Sequence, residues 1–413
     1  VAVLTLKHGW ASRTLKEARL ESAGRALTAS HPMDERFTPE HEAFRRTVRQ
    51  FAEKELAPHA LEWDQAGEFP RDVFRRCGEL GFFGISHDPA YGGSGLDSWY
   101  VAAFAEELAR ARNGGVAMSL LVQGQMATPV INELGTDEQK REFLAPALTG
   151  ERIAALAMSE PDAGSDLARL RTTARRDGDD YVIQGAKTWI SNGARADFLV
   201  LAVRTGGEGA PGISLVTLPT DVKGFSVSKK LQKVGHRSSD MAILYFEDCR
   251  IPARYVLGRE NDGFFHIMNS FHAERLVTAL YTVAVMDDLL REAIRYGRER
   301  QAFGKRLLDF QVWRHTFVDH ATRVEAARQL TYQAVQLFNR KRKQKPVKEI
   351  AMAKLLTTEL AQRVAYDCQQ FYGGMGYVEE SHVARAWRDV RMLTIGGGTS
   401  EVMKEIIAGT MAL

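Results

Sequence analysis

Two stretches of the chain carry residue types from which a binding site could be built. Ser159-Glu160-Pro161-Asp162-Ala163-Gly164-Ser165-Asp166 follows an apolar run, Ile153 to Met158, that reads as a buried strand. Pro161 and Gly164 force a turn. That turn offers the hydroxyls of Ser159 and Ser165, and backbone N–H groups that a sheet ladder cannot all use. Such an array suits a polar, anionic ligand with a flat ring. Lys187-Thr188-Trp189-Ile190-Ser191-Asn192-Gly193 completes it. Trp189 and Ser191 alternate with Ile190, so both side chains leave one strand on the same face. A broad π-surface beside a hydroxyl fits the edge of a flavin. Spacing alone also allows a polar hairpin turn and a core tryptophan.

A third feature is a carboxylate on an apolar stripe. Phe264, Ile267 and Phe271 recur at helical spacing, Glu274 falls three residues beyond, and Val277 and Tyr281 continue the face. A carboxylate placed so is either paired or functional. Burial would raise its pKa and strengthen it as a base once substrate excludes water. An ion pair with Arg275 or another arginine would explain the same position.

The elements that must position these residues fall into three blocks. Thr38-Pro39 is an N-cap with proline at the first helical position, and Phe44, Val48, Phe51 and Leu56 follow at near-helical spacing. Helices are expected over Asp72–Leu80, Ser98–Arg110 and Val116–Leu134, with Thr136 and Gln139 as a capping box for another. Tyr91 to Asp97 is a glycine-rich loop without the lysine of a phosphate loop. From Gly150 the pattern turns to short strands: 170–175, 181–184, 198–203, 213–218, 225–228 and 241–246, with a hairpin turn at Asp177-Gly178-Asp179-Asp180. Strands in succession without intervening helices imply an antiparallel barrel-like domain. Long helices return at 264–300, 314–340 and 348–371, and four antiparallel helices would form a bundle. The basic run Lys341 to Lys345 reads as a solvated helix end. The expected division is an extension over 1–32, an N-terminal helical domain over 33–150, a middle β domain over 151–262 and a C-terminal helical bundle over 263–413.

Bulk properties exclude several classes. The 413 residues suffice for two or three domains. A net charge of +3 gives no electrostatic case for nucleic acid. Cys77, Cys249 and Cys368 stand apart, with neither metal-ligand spacing nor the pattern of a disulfide framework. No apolar run is long enough to span a bilayer. A reducing aqueous compartment is expected: a bacterial cytoplasm, with the mitochondrial matrix second. The basic residues Lys7, Arg13, Lys16, Arg19 and Arg25 suit a transit peptide, but Glu17 and Glu21 oppose it. The preferred start is Met33.

Taken together, these stretches resemble the acyl-CoA dehydrogenase family. The family pattern is a Thr/Ser-Glu-Pro-x-x-Gly-Ser-Asp loop followed by Lys-x-Trp-Ile-Thr/Ser-Asn-Gly, and the match runs from about Phe37 to the C-terminus. The resemblance implies the helical, β, helical plan and a bound FAD. It implies flavin contacts from Met158, Ser159, Gly164, Ser165, Trp189, Ile190 and Ser191. Arg300-Gln301-Ala302-Phe303-Gly304-Lys305, with Gln311, is similar to a family turn that reaches the flavin of a neighbouring subunit. Gln370-Phe371-Tyr372-Gly373-Gly374 resembles a second such segment. A homotetramer follows from this, and Thr399 and Glu401 match further cofactor-side positions.

The resemblance also bears on the base. In short- and medium-chain relatives a Tyr-Glu-Gly-Thr segment supplies it, but here Gly397 of Ile395-Gly396-Gly397-Gly398-Thr399 stands in that place. Isovaleryl- and long-chain-type relatives carry the base in an x-Glu-Arg-Leu context, which matches Glu274-Arg275-Leu276. The implied reaction is dehydrogenation of an acyl-CoA thioester to the trans-2-enoyl-CoA, in which Glu274 takes the α-proton and the β-hydrogen leaves as hydride to flavin N5. Gly397 keeps the backbone N–H that would polarise the thioester oxygen and frees volume for a longer or branched chain. Ser165, His272, Arg275, Gly397 and Gly398 match substrate-side positions. His272 departs from the acidic residue common at its place, and His236 from a tryptophan. Electron-transfer flavoprotein would take the electrons, and an acyl-carrier-protein thioester is an alternative substrate. The branch most similar is the long-chain or citronellyl-CoA type. Two other readings remain: a flavin-dependent oxidase or monooxygenase of the same fold, and a catalytically silent protein that binds flavin or an acyl carrier.

Overall fold

The apolar periodicities become three successive layers of structure in a computed structural model that describes residues 35–340 and 345–413. The readings made for 1–32, for Met33 and for residues 341–344 lie outside the described residues. At the start of the described chain, Thr38 accepts from the His41 N–H at 3.4 Å and so caps a helix, α1 (Pro39–Phe51).

From Phe44 onward the chain first packs helices. α2 (Ser98–Leu108) and α3 (Gly114–Leu121) are buried nearly all round. The single helix expected over 116–134 is interrupted by a π-helical turn at Val122–Ala127. The cause is local. Gly124 lies under Phe83, where an added side-chain carbon would sit 3.0 Å from the ring, and the Thr128 hydroxyl takes the Gln123 carbonyl at 2.8 Å. Gln123 instead ties this turn to the sheet: its Oε1 accepts from Ala154 N at 2.7 Å, and its Nε2 donates to Ala147 and Arg152 carbonyls at 2.9 Å.

The middle block is one eight-stranded sheet. β1 (Ala154–Ala157) runs parallel to β4 (Phe198–Arg204), which pairs antiparallel with β5 (Ile213–Pro219). β2 (Thr173–Asp177) turns through Gly178 into β3 (Asp180–Ser191), and β7 (Met241–Pro252) joins β3 to β6 (Phe225–Lys230). β3 is longer than the short run expected at 181–184, because pairing with β7 carries it through to Ser191. β8 (Val256–Leu257) closes the order against β5. The sheet is antiparallel except where β4 meets β1 and β2.

The last block is the helical bundle: α4 (Gly263–Glu299), α5 (Gln311–Asn339) and α6 (Val347–Tyr372), with the shorter α7 (His382–Val390) and α8 (Ser400–Thr410). Three members are long. The fourth place against α6 is filled by the 11 residues of α8. No described helix is long and apolar enough to cross a membrane. The three cysteines are free and buried.

Candidate active site

The Ser159–Asp166 turn and the Lys187–Gly193 stretch meet. Thr188 N donates to the Ser159 carbonyl at 3.0 Å, and a carbon added to Gly164 would touch the Trp189 ring at 3.9 Å. Beneath them lies a buried ion pair. Lys187 is fully buried, and its Nζ donates to Glu160 Oε1 at 2.8 Å and to the Met158 carbonyl at 2.9 Å. Glu160 also accepts from the backbone N–H groups of Arg171 at 2.6 Å and Thr172 at 2.9 Å. Burial alone would raise the Glu160 carboxyl, but the Lys187 charge and these hydrogen bonds hold it below its ordinary value. Burial pushes the Lys187 ammonium down to about 8. Both partners are therefore charged at neutral pH.

Trp189 does not sit there by simple alternation. The β3–β7 register shifts between Lys187 and Ile190, so Lys187 and Thr188 are both buried. Trp189 takes a left-handed φ of 59°, which re-aims its ring outward at 52% exposure. After the bulge, alternation resumes: Ile190 is buried, while Ser191 is partly open. Ser159 is partly open and Ser165 fully so, whereas Met158 is buried and offers its carbonyl to Lys187. A strained, exposed indole is costly unless something covers it.

On α4, Glu274 is only partly exposed, and its carboxylate has no hydrogen bond or salt bridge among the described residues. The ion pair with Arg275 that would have explained it is not formed: Arg275 turns to donate from Nε to the Gly397 carbonyl at 3.2 Å. Burial pushes the Glu274 carboxyl above its ordinary value, and the nearby charges of Arg275 and Lys354 only partly offset this. Gly397 faces it directly. A side-chain carbon on Gly397 would lie 3.2 Å from Glu274 Oε1. The two places from which a base is expected therefore converge on one point.

The loop carrying Gly397 is fixed by few atoms. Gly397 and Gly398 have φ of 65° and 99°, conformations suited to glycine. Lys354 Nζ donates to the Gly398 carbonyl at 2.5 Å. Thr399 caps α8 by accepting from Val402 N at 3.3 Å, and Glu401 is exposed on the first turn. His272, two residues before Glu274, has a buried Nδ1 without a hydrogen bond, and burial pushes its ring down to about 4.

Arg300, Gln311, Gln370, Gly373 and Gly374 gather elsewhere, at one end of the bundle, and all are exposed. Tyr296 stacks on Tyr372 at 4.2 Å and Trp313 meets Phe371 at 4.9 Å, which brings the ends of α4, α5 and α6 together. No hydrogen bond or ring contact among the described residues ties this cluster to Trp189. Phe303, Met375 and Tyr377 surround it, exposed at 95%, 55% and 87%.

Comparison with known proteins fits this geometry. Residues 38–151 match the acyl-CoA dehydrogenase N-terminal domain, 155–249 the middle domain and 261–412 the C-terminal domain. The chain belongs to the acyl-CoA dehydrogenase family. It is 38% identical to the mitochondrial long-chain specific acyl-CoA dehydrogenase of Sus scrofa, over 95% of this chain and 91% of that one. It is 36% identical to isovaleryl-CoA dehydrogenase of Pongo abelii, over 89% and 88%. Its fold superposes on a crystal structure of a putative acyl-CoA dehydrogenase from Mycobacterium smegmatis with TM-score 0.89 and 42% identity, covering 91% of this chain and 98% of that one.

Two residues beside this site were given no role of their own by the sequence pattern. Lys187 sits on an inward strand position and Lys354 within the apolar run Ile350 to Leu356. Both are charges on apolar faces, the same signal that singled out Glu274. Lys187→Met should leave Glu160 buried without its counter-ion and destabilise the protein by about 3 kcal/mol. Urea denaturation with and without Glu160→Gln checks this: the double variant should recover part of the loss, because no charge is then stranded.

Proposed function

We propose that this member of the family is an FAD-dependent acyl-CoA dehydrogenase that converts an acyl-CoA thioester to its trans-2-enoyl form, with Glu274 as the α-proton base. The observation that carries the assignment is the free carboxylate of Glu274, pushed above its ordinary pKa by burial and opposed by Gly397. The residues fit the cofactor: a half-exposed indole held outward by a bulge, beside the hydroxyls of Ser159, Ser165 and Ser191 and the open backbone at Gly164. Bound there, FAD supplies the oxidant that accepts the β-hydrogen as hydride.

The chain's own groups do the rest. The Gly397 N–H polarises the thioester oxygen as enolate character develops, with Arg275 holding the peptide that follows by the Gly397 carbonyl. Glu274 removes the α-proton at its carboxylate oxygen. The acyl chain displaces water from around that carboxylate, which strengthens the base. His272, neutral at working pH, offers a ring nitrogen to the thioester's arm, and Ser165 and Gly398 border the same path. Glycines at 396 to 398 leave room for a long or branched acyl group.

The exposed cluster at the bundle end supports a homotetramer in which Arg300, Gln311, Gln370, Gly373 and Gly374 complete a neighbour's cofactor site, with Thr399 and Glu401 on the cofactor side of the Gly397 loop. Exposed Phe303 and Tyr377 favour burial against a second copy. Electron-transfer flavoprotein as the electron acceptor and a cytoplasmic setting belong to the same proposal, as does the division at 33–150, 151–262 and 263–413. Free buried cysteines accord with a reducing compartment.

The test is anaerobic mixing of the flavin-loaded enzyme with a panel of acyl-CoAs of different length and branching. Bleaching of the flavin absorbance by at least one is expected. No bleaching by any would point to a silent binder. Rapid peroxide formation in air would point to an oxidase.

A further inference from the structure

Lys354 is fully buried in α6, yet it forms no salt bridge among the described residues. The groups whose charges reach it are Glu274 and Arg275 from α4, Glu359 from its own helix and Glu401 from α8. Among the described residues its ammonium donates to one acceptor, the Gly398 carbonyl, at 2.5 Å. Arg275 Nε holds the preceding carbonyl, Gly397, at 3.2 Å. Two buried cations on two helices thus grip successive carbonyls of a loop whose glycines both have positive φ.

A peptide plane carries its N–H and the preceding carbonyl in fixed relation. The Gly397 carbonyl and the Gly398 N–H share one plane, and the Gly398 carbonyl begins the next. The Gly397 N–H lies in the plane before these, between the Gly396 N–H, which donates to the Met392 carbonyl at 2.9 Å, and the pinned Gly397 carbonyl, so it is restrained from both sides. Glycines would otherwise let this segment rotate cheaply. Neither residue at 397 nor 398 has a side chain that could anchor the loop. Burying an ammonium costs several kcal/mol unless something offsets it. Burial pushes this one down to about 8, so it is still mostly charged at neutral pH.

We propose that Lys354 is a positioning residue for the oxyanion contact: by holding the Gly398 carbonyl, it keeps the Gly397 N–H aimed at the substrate's thioester oxygen. This rests on Gly397 facing the thioester, as proposed above. Lys354 touches neither substrate nor cofactor and acts through the loop.

Three measurements on Lys354→Met test it. Hydrogen exchange of the peptide covering 395–399 should accelerate by at least about tenfold. The kcat should fall by about 10- to 100-fold with KM within about threefold, because the lost contact belongs to the transition state. A flavin-loaded complex with a 3-thiaacyl-CoA, which can lose its α-proton but cannot deliver a β-hydride, should ionise with an apparent pKa about one unit higher than in the parent. That ionisation reads enolate stabilisation rather than the base. Where Lys354→Met fails to hold flavin, Lys354→Gln carries the same measurements. Unchanged loop exchange, or an unchanged kcat, would overturn the proposal. The site itself is tested separately by Glu274→Gln: if that variant turns over normally, the assignment of the site fails, whatever Lys354 does.

Discussion

Glu274→Gln should lose turnover by about 10³- to 10⁴-fold while keeping its flavin, because an amide cannot accept the α-proton. The substitution is nearly isosteric, and the carboxylate makes no hydrogen bond or ion pair among the described residues that the amide would break. Folding should therefore survive. Burial raises the folded-state pKa of this carboxyl, so its contribution to stability is present at low pH and is lost as pH rises through the raised value. At neutral pH the ionised group strains the fold, and Glu274→Gln should melt no earlier than the parent. The same shift sets the parent's pH profile. A base must be ionised to act, so kcat/KM should fall on the acid side with a midpoint above the ordinary 4.5 of a glutamate. An acid limb at or below 4.5 would mean a different base.

Gly397→Glu should cost at least about 100-fold in activity near neutral pH, through geometry and charge together. A side-chain carbon at 397 starts 3.2 Å from Glu274 Oε1, so two carboxylates would compete for one place. Like charges in contact cannot both ionise, and the pair would share a proton. The φ of 65° adds about 1 kcal/mol of backbone strain for any residue but glycine. Combining Gly397→Glu with Glu274→Ala removes the competition. That double variant should exceed Glu274→Ala alone by at least about tenfold, because position 397 addresses the same point. Steady-state rates with one acyl-CoA decide it. A double variant no better than Glu274→Ala would show that the two positions do not serve the same carbon.

The sequence pattern showed the plan of the fold because its signals are local. Proline after Thr38, the turn at Gly178 and the helical spacing from Phe264 to Tyr281 act within a few residues of themselves. It marked Glu274 as a candidate because a carboxylate among apolar residues is costly wherever the helix lies. It did not show the bulge at Trp189, which depends on how β3 meets β7, nor the π-turn at Val122–Ala127, which depends on Phe83 lying over Gly124. Lys187 and Lys354 are intermediate cases. Their positions are conspicuous in the sequence, but their partners are 27 and 44 residues away in the chain. Alternation predicts that Trp189 and Ser191 both face outward; the structure leaves both at least partly open, but by way of a bulge.

The mechanism turns on where one carboxylate stands when substrate is bound. A crystal structure of the flavin-loaded protein with a 3-thiaacyl-CoA tests it most directly. A Glu274 oxygen should lie within about 3.5 Å of the α-carbon, with the Gly397 nitrogen about 3 Å from the thioester oxygen. An α-carbon facing another acid or base, with Glu274 turned away from the ligand, would contradict it.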